Sequence, residues 1–238
     1  MIETLFSNGR KLGEYSARWL ASRIRQQPGA LICLAAGHTQ RTTYTALSRM
    51  VCAGELDMSR TRIIGLDEWE GLNASDQGSC RYFMDETLFK PAAIPPERIV
   101  FFDGRADLEA QCARMDAYLD ENGPIDVLCL GVGMNGHVAF NEPGCAPGGR
   151  SRIVPLDEVT QTVGQKYFPK QMRLSRGVCL GMRDLLAARA VIIQIEGAHK
   201  AQIARAVRSG VITDQVPATL MLEHANLELV LDAAAAEE

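Results

Sequence analysis

The 238-residue sequence lacks several patterns that would assign a protein to a class at once. It has no uncharged apolar stretch of about 18 residues, so no membrane-spanning helix is predicted. It has no CxxC pair, and its seven cysteines are scattered, which excludes zinc-ribbon and thioredoxin chemistry. It has no N-terminal basic segment followed by an apolar stretch, so no secretory signal is predicted and the cytoplasm is the expected compartment.

An excess of basic residues is also absent, since 25 Lys and Arg stand against 29 Asp and Glu, for a net charge of −4. A mildly acidic chain is a poor match to a polyanion, so no nucleic-acid partner is predicted. A small anion remains compatible, because a pocket can be locally positive on an acidic protein. Apolar residues make up 47% of the chain, which predicts a globular fold, and one domain spanning residues 1–238 is the simplest interpretation.

Short apolar runs alternate with helix-like, amphipathic stretches along most of the chain. The runs at 30–35, 63–66 and 125–130 predict strands that are buried on both faces. This alternation is typical of an α/β fold with a doubly wound, mostly parallel sheet and helices on both faces. In this interpretation the first strand begins near residue 30. The stretch 143–170 has no clear periodicity and is predicted to be a lid-like loop.

Ligands of such sheets bind beyond the carboxyl ends of the strands, so the residues after each predicted strand are candidate site residues. Gly37, His38 and Thr39 follow the first predicted strand, where the free N–H groups of a helix start suit a phosphate. The segment is neither a Walker loop nor a GxGxxG motif, and alone an ordinary strand-to-helix turn explains it better. Lys200 follows a later strand and is expected to point into the same crevice.

Two further segments offer groups for proton transfer. Asp67 follows the second predicted strand and is a candidate general base, although a solvated pair of acids with Glu68 is the alternative. The most informative segment is 131–144, because its glycines allow an unusual backbone path that brings His137 to a strand end with Glu142 close behind. A carboxylate that holds an imidazole fixes its tautomer and makes it a better proton shuttle.

Together these segments resemble the glucosamine-6-phosphate deaminase/isomerase family. The resemblance runs from Leu31 to about Leu222 and rests on the motifs LAAGHTQ (34–40), LDEW (66–69), GVGMNGHVAFNEPG (131–144) and EGAHKA (196–201). The third motif is highly specific, since the related 6-phosphogluconolactonases lack its Phe-Asn-Glu-Pro. The segment 175–186 resembles most closely the galactosamine-6-phosphate isomerase branch of the family.

The resemblance implies a cofactor-free and metal-free isomerisation of a 2-amino-2-deoxyhexose 6-phosphate with loss of ammonia. By this analogy His137 opens the sugar ring, assisted by Asn135 and Glu142, and Asp67 moves a proton from C2 to C1. The resemblance assigns phosphate binding to Gly37, His38, Thr39, Lys166 and Lys200. A homo-oligomer is compatible with the family, and a small sugar phosphate is the only partner that it implies.

Three positions differ from the usual pattern of the family. His38 stands where a glycine or serine is usual, and Asn135 stands where many members have aspartate. Lys166 corresponds to a phosphate-clamping arginine, and a lysine is a point charge rather than a bidentate fork. The glucosamine and galactosamine epimers differ at C4, which no motif in the sequence reads directly, so the choice between them is left open.

Two alternative functions are also considered. A 6-phosphogluconolactonase-like hydrolase is opposed by Asp67 and by the pair Asn141-Glu142. A non-catalytic sugar-phosphate sensor, of the kind fused to transcription regulators, is opposed by retention of the catalytic-type residues. It would also need a helix-turn-helix module, for which the residues before the first predicted strand leave no room.

Overall fold

The computed structural model describes residues 1–237; Glu238, the last residue of the predicted domain, lies outside them. The strands are β1 (Ile2–Phe6), β2 (Leu31–Leu34), β3 (Arg62–Gly65), β4 (Asp67–Trp69), β5 (Ile99–Val100), β6 (Val127–Gly131), β7 (Arg152–Pro155), β8 (Arg176–Cys179), β9 (Ala190–Ile195) and β10 (Leu227–Asp232). The helices are α1 (Gly9–Gln26), α2 (His38–Cys52), α3 (Cys80–Met84), α4 (Leu108–Asn122), α5 (Glu158–Gly164), α6 (Met182–Leu186), α7 (Ala201–Arg208) and α8 (Ala233–Ala236). No helix within residues 1–237 is long and apolar enough to cross a membrane.

Seven strands form one parallel sheet in the order β1-β10-β9-β6-β2-β3-β5. Every residue of β2, β9 and β10 is buried, which shows that both faces of the sheet are covered. The predicted mostly parallel α/β sheet is confirmed. The prediction that the first strand begins near residue 30 is wrong, because β1 precedes it. This edge strand exposes Ile2 and Leu5, so it lacks the apolar pattern of a buried strand.

A second, antiparallel sheet has the order β4-β8-β7, which the sequence analysis does not predict. Asp67, the first residue of β4, lies opposite Cys179 of β8. The segment 143–170 contains β7, α5 and a 3-10 turn at Gln165–Tyr167, so it is not the aperiodic loop that was expected. A strand of three or four residues is too short to show alternation in a sequence, and the strands of this sheet form by pairing between distant segments.

The central strands β2 and β6 are parallel neighbours, and after each of them the chain continues to a different side of the sheet. The next strand of the sheet after β2 is β3 on one side, whereas the next after β6 is β9 on the other side. Such a reversal opens a crevice at the carboxyl ends of the two strands. The order β9-β6-β2-β3 therefore brings the four segments that the sequence analysis selected to one edge of the sheet.

Candidate active site

The crevice contains a cavity of about 400 Å³, a size typical of small-molecule sites. Seven of the predicted site residues line it: Gly37, His38, Thr39, Asp67, His137, Lys166 and Lys200. The other two, Asn135 and Glu142, stand behind His137 and contact it. The structure thus brings all the predicted site residues together, although they come from five separate segments of the chain.

Glu142 holds the His137 imidazole from behind. The Nδ1 atom of His137 lies 3.2 Å from Oε2 of Glu142, and Asn135 Nδ2 donates to the same oxygen at 2.7 Å. Burial acts to raise the pKa of Glu142, but the neighbouring His137, Thr160 and Asn135 side chains outweigh it and hold that pKa below its ordinary value. Glu142 is therefore an ionised acceptor at neutral pH, which favours a proton on Nδ1 of His137.

The turn that carries His137 depends on two glycines. Gly136 has a φ of +88°, in the left-handed region that favours glycine. A Cβ atom at Gly133 would lie 2.4 Å from both Cδ2 and Nε2 of His137, so the imidazole packs directly on the Gly133 backbone. The Gly133 N–H also donates to the His137 carbonyl at 2.8 Å, which closes the turn.

Asp67 is 8% exposed and reaches the cavity from the start of β4. Burial raises its pKa to about 6, against the opposing effects of the Cys80 thiol and of His137. A carboxyl group with a pKa close to neutrality is suited both to accept a proton and to return it.

Glu68, the second acid of this segment, has a different environment. Its carboxylate accepts backbone N–H bonds from Trp69, Cys80 and Arg81, which ties β4 to the first turn of α3. Burial raises its pKa to about 8, against the effect of those N–H donors. The alternative of a solvated acid pair is wrong, because both carboxyl groups are buried.

Four basic side chains form a second group at the cavity, which we call the cationic cluster: His38, Lys166, His199 and Lys200. Lys200 Nζ donates to the carbonyl oxygen of Val132. Burial, and then the charge of Lys166, lower the pKa of Lys200 to about 8. Burial and the facing lysines also lower the pKa of both histidines. Within residues 1–237 neither lysine forms an ion pair with a carboxylate, so the cluster can take up an anion.

The first turn of α2 lies beside the cationic cluster. Its N-cap residue is Gly37, and no side chain caps the free N–H groups of this helix. A phosphate at this position would accept N–H bonds and face the positive end of the helix dipole. Across the part of the chain that the structure describes, no three His, Cys, Asp or Glu side chains are grouped as metal ligands.

The sequence profile described as "Glucosamine-6-phosphate isomerases/6-phosphogluconolactonase" matches residues 7–231. The chain belongs to this family. Glucosamine-6-phosphate deaminase 1 of Bacillus subtilis (strain 168) is 32% identical to it over 228 residues, which cover 95% of this chain and 94% of that relative. The solved structure of a monomeric glucosamine-6-phosphate deaminase is 31% identical, with a TM-score of 0.96 over 99% of both chains.

The fold of this family is also found at lower identity. The solved structure of 6-phosphogluconolactonase from Trypanosoma brucei is 21% identical and has a TM-score of 0.77, over 99% of this chain and 97% of that one. The comparisons confirm the predicted family. They do not distinguish its galactosamine branch, which stays a prediction.

Three residues that line or border the site in this family member were not predicted. Thr160 of α5 is 4% exposed, and its Oγ1 lies 3.0 Å from Nδ1 of His137. The Cys80 thiol lines the same cavity as Asp67 and lowers the pKa of that carboxyl group. Gln40 is 2% exposed, and its Nε2 has no hydrogen-bond partner among residues 1–237. Gln40 is the last residue of the motif 34–40, which the sequence did single out. Thr160 lies in the segment 143–170, where the sequence shows no periodicity.

Proposed function

We propose that this chain is an amino-sugar-phosphate deaminase/isomerase, which converts a 2-amino-2-deoxyhexose 6-phosphate and water to a ketose 6-phosphate and ammonia. One observation carries the proposal: a single cavity holds a buried carboxyl group, an imidazole backed by a carboxylate, and two lysines that have no acidic partner among residues 1–237. Family membership supports the same activity, since relatives that match over most of their length are glucosamine-6-phosphate deaminases.

His137 acts first in the proposed mechanism, by opening the sugar ring. With its Nδ1 proton directed at Glu142, the Nε2 atom is free to accept the proton of the anomeric hydroxyl group and to deliver it to the ring oxygen. Asn135 assists by donating to the same Glu142 oxygen, which keeps that carboxylate in place. Acid–base groups are sufficient for this step, and the proposal includes no cofactor.

Asp67 acts second, on the open-chain sugar. Its carboxylate removes the C2 proton to give an enolamine and returns the proton at C1, which leaves an imine at C2. Water then hydrolyses the imine to the ketone and ammonia. The raised pKa of Asp67, about 6, supports this role because a base of that pKa also becomes an effective acid once protonated.

The phosphate group is proposed to bind at the first turn of α2, on Gly37, His38 and Thr39, with Lys166 and Lys200 neutralising its charge. Such an anchor lets binding energy at a remote group position the reacting carbons. We also propose that the segment 143–170 is the lid of one catalytic unit spanning the chain, since α5 and the turn after it supply part of the cavity wall.

The test is an ammonia-release assay on glucosamine 6-phosphate and galactosamine 6-phosphate, with identification of the ketose. Glucosamine 6-phosphate is the first substrate to test, because the named relatives are deaminases of that sugar. Asp67→Asn should abolish turnover while sugar-phosphate binding persists, and Asp57→Asn, at an exposed position, is the control. If neither amino sugar releases ammonia, the proposal fails, and hydrolysis of 6-phosphogluconolactone would then favour the lactonase.

A further inference from the structure

The α5 residue Thr160 is the only group in the described chain, besides Glu142, whose polar side-chain atom contacts Nδ1 of His137. The Thr160 Oγ1 atom lies 3.0 Å from that nitrogen and 3.4 Å from Nδ2 of Asn135. Its side chain is almost fully buried, so water does not compete for these contacts. The hydroxyl group is therefore part of the same hydrogen-bond network as the imidazole.

The donors and acceptors of this network determine where its protons lie. Ionised Glu142 can only accept, and it accepts from Asn135 and, at its other oxygen, from the Asp157 N–H at 3.3 Å. The Oγ1 atom of Thr160 accepts from Nδ2 of Asn135, and because ionised Glu142 draws a proton onto Nδ1 of His137, Oγ1 faces that nitrogen as a second acceptor. Both neighbours of Nδ1 are then acceptors, and both favour a proton on that nitrogen.

We propose that Thr160 is a positioning residue that holds His137 in the tautomer with its proton on Nδ1 and with Nε2 bare towards the substrate. The inference rests on the proposed function, in which Nε2 must accept a proton during ring opening. It adds that the tautomer is set from two sides, by Glu142 and by a hydroxyl group from a distant segment. Without that hydroxyl group, one of the two acceptors for the Nδ1 proton is lost.

The position of α5 gives this contact a second consequence. The N-cap residue of the helix, Asp157, donates its N–H to Glu142, and Thr160 of the helix contacts His137. The turn that follows carries Lys166, a member of the cationic cluster. One short segment thus contacts both the proton shuttle and the proposed phosphate site. Displacing α5 would separate the Thr160 hydroxyl from His137, so the shuttle is complete only while the segment is seated.

The test compares three substitutions in α5. Thr160→Val keeps the shape of the side chain and removes its hydroxyl group, whereas Thr160→Ser keeps the hydroxyl group. Thr162→Val makes the same chemical change two residues away at an exposed position and is the control. For Thr160→Val we expect kcat for ammonia release to fall about 10- to 100-fold with KM changed by less than about twofold. Thr160→Ser should retain kcat to within about threefold.

A second measurement separates positioning from packing. The imidazole ¹⁵N shifts of His137 in the ligand-free protein report which ring nitrogen carries the proton. The wild type and Thr160→Ser should show the proton on Nδ1, and Thr160→Val should show a mixture of the two tautomers. If Thr160→Val does not fold, Thr160→Ala removes the same hydroxyl group and must show the same mixture.

Three outcomes overturn the inference: wild-type kcat in Thr160→Val, an unchanged tautomer in that variant, or equal losses in Thr160→Ser and Thr160→Val. Failure of the proposed function is recognised separately. In that case wild-type protein releases no ammonia from either amino sugar, while the ¹⁵N experiment still tests the contact between Thr160 and His137.

Discussion

Asp67→Asn should remove activity and at the same time stabilise the fold at neutral and alkaline pH. The Asp67 carboxyl group is 8% exposed, and three buried thiols lie around it, those of Cys33, Cys80 and Cys179, whose pKa values are raised by burial first and then by the charge of Asp67. Thiols solvate a carboxylate poorly, and burial accordingly raises the pKa of Asp67 from 3.8 to about 6. An asparagine at this position is neutral at every pH and avoids that cost.

The size and the pH range of the effect follow from the pKa values. A rise of about two units corresponds to about 3 kcal/mol of difference between the two protonation states. Because the pKa is higher in the folded state, the ionised group destabilises the fold above pH 6, and the penalty is absent below the unfolded value of 3.8. Asp67→Asn should therefore gain up to about 3 kcal/mol in free energy of unfolding at about pH 8 and less than about 1 kcal/mol at about pH 4.

Denaturant unfolding of both proteins across this pH range measures the gain. The stability measurement is preferable to a pH–rate profile, since the second pKa of a phosphate monoester is also about 6 and would overlap with that of Asp67. Asp57→Asn is the control, and its stability at neutral pH should change in the opposite direction, because the Ser59 N–H lowers the pKa of the exposed Asp57. If the gain in free energy of unfolding from Asp67→Asn is no larger at about pH 8 than at about pH 4, burial does not destabilise the ionised carboxylate. The physical basis of its proposed role is then refuted.

Two other changes test the remaining parts of the site. Gly133→Ala would place a Cβ atom 2.4 Å from the His137 ring, so we expect the ring to move and kcat to fall about 100-fold in a folded protein; wild-type kcat would contradict this. Because the pKa of Lys200 is about 8, the KM for the sugar phosphate should rise as pH increases above that value. Lys200→Arg stays charged and should remove this rise, and a KM independent of pH in the wild type would exclude Lys200 as the phosphate ligand.

The central sheet and the two catalytic-type motifs could be predicted because each has a local signal. Strands β2, β6 and β9 are buried on both faces, so they occur in the sequence as short apolar runs, broken only by Gln194 in β9. The segment 131–144 combines glycines, a histidine and an acid in an order that packing alone does not require. The topological rule for parallel sheets then placed the residues after each strand at one edge, and the structure shows them there.

The environment of those residues could not be predicted, because it comes from contacts between distant segments. The pKa of Asp67 depends on β4 pairing with β8, which is 112 positions away at Cys179 and gives no alternating pattern in either strand. Thr160 is an ordinary residue type in a seven-residue helix, and nothing in its neighbours marks it as a partner of His137. A motif identifies the groups that exchange protons with a substrate. The groups that set their pKa values and tautomers are common residues selected by position, and only the folded chain shows which ones they are.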